Sequence, residues 1–203
     1  MKSLYVTDRY SIGDERFRAI LRALRGAPGL SVELREKDST DRECLAWARE
    51  ARETLGSAIP LFVNRRFDVA LAARADGVHL PAAGLPLRRV KVSTPRGFRV
   101  GVSTHSAEEA ARAAEEGSDL VVLGPVFDTP SKRAFGPPLG PDELSALPPL
   151  AAHGAEVYAI GGISEENLSQ LAPYRDRVTG VAGIRLFQEA SDPRGVAERI
   201  AAR

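Results

Sequence analysis

The chain has 203 residues, 43% of them hydrophobic, and a formal net charge of +1. That is enough apolar surface for one buried core, with no charge excess of the kind that marks a nucleic-acid or membrane partner. A single cysteine excludes an internal disulfide framework, and with no signal-like or membrane-length apolar run the expected location is the cytoplasm.

Short apolar runs alternate with helix-spaced segments along the chain. Leu4–Thr7 reads as a first strand, after which Phe17, Ile20, Leu21 and Leu24 recur at the spacing of one helical face. Val32–Leu34 is the second strand, followed by a long helical segment, Cys44–Leu55, that places Cys44 in a helix core. Leu61–Val63 and Gly77–Leu80 are the third and fourth. The helices after them, Phe67–Ala73 and Leu85–Val90, are short, and Pro86 interrupts the second. Val100–Ser103, Leu120–Leu123, Val157–Ile160 and Gly180–Gly183 make eight strands. Further helices are predicted over Ala107–Glu116 with Ser106 as N-cap, over Glu165–Ala172 after Ser164, and over Val196–Ala202. The pattern predicts an α/β fold, a (β/α)8 TIM barrel formed as a single domain by residues 1–203, with an open doubly wound sheet as the alternative.

The last two strands carry the strongest functional signal. Val157–Ile160 runs into Gly161-Gly162, and Gly183 ends the following strand. Residues without side chains at adjacent strand ends let backbone N–H groups approach an anion, and barrels frequently bind phosphate after strands 7 and 8. A helix starting just beyond the glycine pair is expected to add its positive end. Other strand ends supply donors: Arg35 and Lys37, Asn64, then Ser103, Thr104 and His105. Thr129, Ser131 and Lys132 lie in the long loop 124–140, read as a lid. Glu33 is expected to pair with Arg35 inside the barrel, His79 to be structural, and His153 to be a solvated surface group. Such a wall suits a substrate that is anionic at more than one point.

Six segments in order resemble the thiamin phosphate synthase and TenI family: Leu4 to Arg9, Leu34 to Lys37, Ala75 to Leu80, Gly101 to Ser106, Gly124 to Phe127 with Thr129 and Lys132, and Ala159 to Ile163. The resemblance covers nearly the whole chain. It implies a (β/α)8 barrel, a role in thiamin biosynthesis, and phosphorylated thiazole or pyrimidine as small-molecule ligands, with no nucleic acid or membrane partner. Related proteins are often homodimers.

The family holds two chemistries. Synthases couple hydroxymethylpyrimidine pyrophosphate to thiazole phosphate, and resemble one another in an Asn-Asp pair after strand 3 and a Gly-Gln-Glu-Asp run after strand 4, whose aspartates hold Mg2+. Here those places read Asn64-Arg65 and Pro81-Ala82-Ala83-Gly84, and a strand-2 glutamine is replaced by Glu33. Mg2+ is usually held by one or two carboxylates beside phosphate oxygens, and Arg65 would repel it. The expected branch is therefore TenI, whose resemblance implies metal-independent thiazole tautomerisation without a cofactor. His105 matches the family's catalytic histidine and is expected to be the general acid/base. Gly161, Gly162 and Gly183 would bind phosphate, and Arg35, Lys37, Asn64, Ser103, Thr104, Thr129, Ser131 and Lys132 would form the polar wall. One alternative is the synthase, with Arg65 or Arg66 replacing the cation, or with Mg2+ as its cofactor. The other is a non-catalytic protein that binds thiamin intermediates.

Overall fold

A computed structural model describes residues 1–149 and 154–203, so His153 lies outside the described residues. Eight parallel strands close into a barrel: β1 (Lys2–Val6), β2 (Leu30–Leu34), β3 (Leu61–Asn64), β4 (Gly77–Leu80), β5 (Arg99–Thr104), β6 (Leu120–Leu123), β7 (Glu156–Ile160) and β8 (Gly180–Gly183). The seam is the β8–β1 pairing, from Lys2 opposite Gly180 to Tyr5 opposite Gly183. A Cβ at Gly180 would overlap the Lys2 backbone, so the close approach at the seam needs glycine there. Closure excludes the open-sheet alternative.

Side chains alternate across the barrel wall. Leu4, Val6, Phe62, Leu120, Val122, Tyr158 and Ala182 fill the interior, while Val32, Leu34, Leu61, Val63, Val121, Leu123 and Val157 join the layer beneath the helices. Strands buried on both faces read as unbroken apolar runs, which is why these eight were legible.

The helices are α1 (Arg9–Ile12), α2 (Asp14–Leu24), α3 (Asp41–Leu55), α4 (Phe67–Ala72), α5 (Leu87–Val92), α6 (Ala107–Glu115), α7 (Arg185–Gln188) and α8 (Pro193–Ala201). Thr40 and Glu43 form a reciprocal capping box at α3, and Ser106 caps α6 by accepting the Glu109 N–H at 3.1 Å. Cys44 is buried in α3. Pro86 ends the preceding loop rather than breaking a helix, because α5 starts just after it. One expected helix is absent: Leu168–Tyr174 is a 3-10 turn containing Pro173. Ser164 does not cap it; its N–H donates to Asn167 Oδ1 at 2.9 Å, a side-chain bond that competes with helical pairing.

The N-terminal end of the barrel is closed by charge. Glu156 pairs with Lys2 and with Arg99 and accepts the Tyr158 hydroxyl at 3.2 Å. Burial works to raise the Glu156 carboxyl, but the two cations overcome it and hold the group below the usual carboxylate range. Burial pushes the Tyr158 phenol far upward. No helix among the described residues is long and apolar enough to cross a membrane.

Candidate functional site

At the opposite, C-terminal end the strands open into a cavity of about 500 Å3. One side chain from each strand forms its floor: Val6, Glu33, Asn64, His79, Ser103, Val122, Ile160 and Ala182 in chain order. The floor is therefore divided. β2 to β5 supply a polar arc, and β6, β7, β8 and β1 supply an apolar one. An aromatic ring laid on such a floor has one edge against hydrogen-bonding groups and its other edge against hydrocarbon.

The polar arc is internally bonded. Glu33 Oε2 lies 2.6 Å from His79 Nδ1, Glu33 Oε1 accepts the Asn64 amide at 2.8 Å, and His79 Nε2 lies 3.1 Å from Ser103 Oγ. Glu33 is thus paired with His79 and Asn64 and not with Arg35, correcting the expected pairing; the β-strand alternation that places Glu33 inward also places His79 and Asn64 there.

Arg35 lines the cavity one turn of chain above this arc. Its N–H donates to Thr7 Oγ1 at 2.9 Å, and the Thr7 hydroxyl in turn donates to Glu36 Oε1 at 2.5 Å. Glu36 also accepts the Arg9 N–H at 3.2 Å, so it ties the β1 and β2 ends together. Burial raises the Glu36 carboxyl. Lys37 is exposed and is not among the residues that line the cavity; its ammonium is pushed below the usual lysine range first by Arg35, then by partial burial and Lys132, with Asp8 opposing and Arg65 adding to the effect. Arg35, Lys132 and Arg65 thus all act on Lys37. Arg66 does not join them, since its guanidinium is held by Asp68 and Asp41. Arg65 adopts φ 66, a left-handed conformation uncommon for a non-glycine residue, and its N–H donates to the His79 carbonyl at 2.8 Å.

On the far wall stand Gly161, Gly162 and Gly183. Gly161 and Gly162 have φ values of 102 and 63, which favour glycine, and a Cβ at Gly161 would sit 2.5 Å from Pro125 Cβ. The expected helix N-terminus beyond this pair is replaced by a turn, fixed by the Asn167 amide donating to the Gly162 carbonyl at 2.8 Å. Loop 124–140 is sewn to the same wall: Val126 N–H donates to Ile160 O at 2.8 Å and Phe127 N–H to Gly161 O at 2.9 Å. It brings Thr129 and Lys132 to the cavity; Ser131 lies in its 3-10 turn, Pro130–Phe135.

His105 is exposed on the cavity rim, its Nδ1 donating to the Gly124 carbonyl at 2.8 Å. Thr104 also lines the cavity, but it is buried and its hydroxyl donates to Val122 O at 3.5 Å, turned toward the β6 backbone. Four ionisable cavity residues were not predicted as binders: Glu33, His79, Asp8 and Arg185. The signal for the first two was the presence of ionisable side chains at inward positions of otherwise apolar strands.

The implied Mg2+ does not fit these residues. The two places assigned to its aspartates hold Arg65, within a cation cluster, and Pro81 to Gly84, which carry no carboxylate. Two carboxylates line the cavity: Glu33 already accepts from Asn64 and contacts His79, which leaves Asp8 at the β1 end as the other. Among the described residues no group of three or more His, Cys, Asp or Glu side chains could hold a metal ion.

Comparison with known proteins places this geometry. The family model described as thiamine monophosphate synthase matches residues 4–187. A thiamine-phosphate synthase from Methanoculleus marisnigri is 43% identical over 171 residues, 83% of this chain and 80% of that protein. One from Syntrophomonas wolfei is 34% identical over 201 residues, covering 98% and 94%. Among solved structures, a thiamine phosphate pyrophosphorylase from Pyrococcus furiosus superposes with a TM-score of 0.79 at 28% identity, covering 99% and 94% of the two chains. The two sequence relatives bear the synthase name and the structural one is named a thiamine phosphate pyrophosphorylase, which overturns the expectation of a TenI-type thiazole tautomerase; the synthase alternative is the one they favour.

Proposed function

This chain belongs to the thiamine monophosphate synthase family, and we propose that within it the chain is a thiamin phosphate synthase, coupling hydroxymethylpyrimidine diphosphate to thiazole phosphate. The observation that supports this reading is that one cavity carries two groups of residues suited to anions. The glycines of β7 and β8 line one part of it, Arg35 of β2 and Lys132 of loop 124–140 line another, and Lys37 and Arg65 are near enough to that second group for the charges to act on one another. A tautomerase acting on one organophosphate uses one such group. A condensing enzyme with one phosphate on each of two substrates uses both.

In this reading the glycine wall takes the phosphate of the thiazole, and the cation cluster takes the diphosphate. The pyrimidine lies on the floor, its polar edge toward Asn64 and Ser103. The C–O bond to the diphosphate breaks with its electron pair leaving on oxygen, and the guanidinium and ammonium groups stabilise the charge that accumulates there. The thiazole nitrogen then forms the new bond to the freed methylene carbon. Thr129 and His105 complete the rim, with the His105 ring held by Gly124.

The experiment is direct. Purified protein is mixed with both substrates, and thiamin phosphate and inorganic diphosphate are quantified with and without added Mg2+. Equimolar formation of the two products supports the reading; no coupling in either condition refutes it.

A further inference from the structure

Glu33, His79 and Ser103 come from three strands, β2, β4 and β5, and make one hydrogen-bonded chain along the polar arc of the cavity floor, from its most buried member, Glu33, to the Ser103 hydroxyl. Glu33 is 1% exposed and His79 4%. A carboxylate only accepts, so the ring nitrogen 2.6 Å from Glu33, Nδ1, carries the proton. In the tautomer with its one proton on Nδ1, Nε2 presents a lone pair to the Ser103 hydroxyl, 3.1 Å away. The serine proton points toward the histidine, leaving its oxygen lone pairs for a donor in the cavity.

A buried carboxylate is costly unless matched, and Asn64 with His79 already match this one. A purely structural pair would end there. The continuation to a hydroxyl on the cavity floor reproduces the carboxylate–imidazole–hydroxyl order by which a serine passes its proton to a histidine.

We propose that Glu33, His79 and Ser103 form a relay that borrows a proton from the exocyclic amine of the aminopyrimidine substrate and returns it, an inference that rests on the synthase reading above. As the methylene C–O bond breaks and its electron pair leaves with the diphosphate, an amine N–H proton passes to Ser103 Oγ, and the serine's own proton passes to His79 Nε2. The nitrogen electron pair released by that transfer neutralises the cationic methylene carbon through the ring. When the thiazole nitrogen bonds to that carbon, the electrons return to the amine nitrogen, and the proton comes back along the same path. No proton is consumed overall, and Glu33 stabilises the imidazolium while it exists. Ser103 is the catalytic residue; His79 and Glu33 act through it.

The test compares Glu33→Gln, His79→Gln and Ser103→Ala with the parent on two pyrimidine diphosphates, the natural one and an analogue with methoxy in place of the amine. With the amine, each variant is expected to lose about 100-fold in kcat with KM nearly unchanged, the usual scale of general acid–base catalysis. With the methoxy analogue, which has no proton to lend, parent and variants are expected to turn over at the same low rate. Equal losses on both substrates, or no loss on the amine, overturn the relay. Ser103→Ala, a change at the cavity surface, decides the matter if either interior variant fails to fold. A parent protein that does not couple at all overturns the synthase reading instead. Imidazole 15N spectra supply a readout independent of turnover: a His79 ring protonated on Nε2 and bare on Nδ1 would also overturn the relay.

Discussion

Gly161→Ala tests whether the glycine wall is a built anion site. Two costs follow from the structure. The native φ of 102 is one that L side chains rarely adopt, and such strain costs about 1–3 kcal/mol. The added methyl carbon would lie 2.5 Å from Pro125 Cβ and 2.6 Å from Pro125 Cα, and relieving such overpacking by a backbone shift costs about 1–3 kcal/mol more. Midrange values sum to about 4 kcal/mol, and for a chain of this size each kcal/mol lowers Tm by about 2–4 °C, so a drop of about 8–16 °C is expected. The shift has to move Pro125 and with it Val126, whose N–H is bonded to Ile160 at the end of β7, so thiazole phosphate affinity should fall at least tenfold. Gly13→Ala is the control: its φ is 76 but a Cβ there meets nothing within 4 Å. That variant should show only the dihedral cost and full affinity. Calorimetric unfolding and titration with thiazole phosphate read both quantities. Gly161→Ala matching Gly13→Ala in Tm and the parent in affinity would refute the argument.

Three further outcomes are expected. Lys37 is one of only four lysines, so its ammonium can be followed by 15N NMR. Because Arg35 is the main group holding it down, Arg35→Ala and saturating inorganic diphosphate should each raise its titration midpoint, and a midpoint unmoved by both would dissolve the cation cluster. Glu156 is held below the usual carboxylate range, so its contribution is present above the unfolded carboxylate pKa and is lost as pH falls through the folded one. Glu156→Gln should therefore cost about 1–3 kcal/mol in urea unfolding at pH 7, the scale of hydrogen bonds to charged groups, and progressively less in acid; a constant difference from pH 7 to pH 3 would contradict this. Since the places assigned to the Mg2+ aspartates hold no carboxylate, excess chelator should slow coupling by less than about tenfold, whereas Arg65→Ala should lower kcat/KM for the diphosphate by about 10–100-fold. Complete loss in chelator, restored by Mg2+, would reverse that assignment.

What was legible in the sequence follows from which forces act locally. The eight strands were readable because a strand buried on both faces is mostly apolar, and the cap at Ser106 obeys chemistry that spans only three residues, whereas the Thr40 cap, which starts α3 ahead of the predicted Cys44, was not read. The crossover after β7 was misread because Ser164, Glu165 and Glu166 mimic a helix start, while Asn167 and Pro173 turn the chain into a 3-10 segment. The phosphate-wall glycines and Arg35, Asn64, Ser103, Thr129 and Lys132 do meet around one cavity. Glu33 was given the wrong partner, because Arg35 is two residues away in sequence whereas His79 is 46 away and becomes its neighbour only when the barrel closes.

That same closure explains why the tautomerase inference failed. The missing aspartates were read as a missing activity, on the assumption that the diphosphate must be neutralised by a metal ion. In the folded chain, Arg35 first, then partial burial, Lys132 and Arg65 push the Lys37 ammonium below the usual lysine range, with Asp8 opposing them. Like charges held together at such a cost lower the energy of a bound polyanion by the same electrostatics that raises the energy of the free site. On the proposed synthase reading, an arginine in place of a carboxylate changes the means of holding the diphosphate without removing its binding wall. On the same reading the polar arc beneath orients the pyrimidine, because only β2 to β5 place hydrogen-bonding groups on the floor.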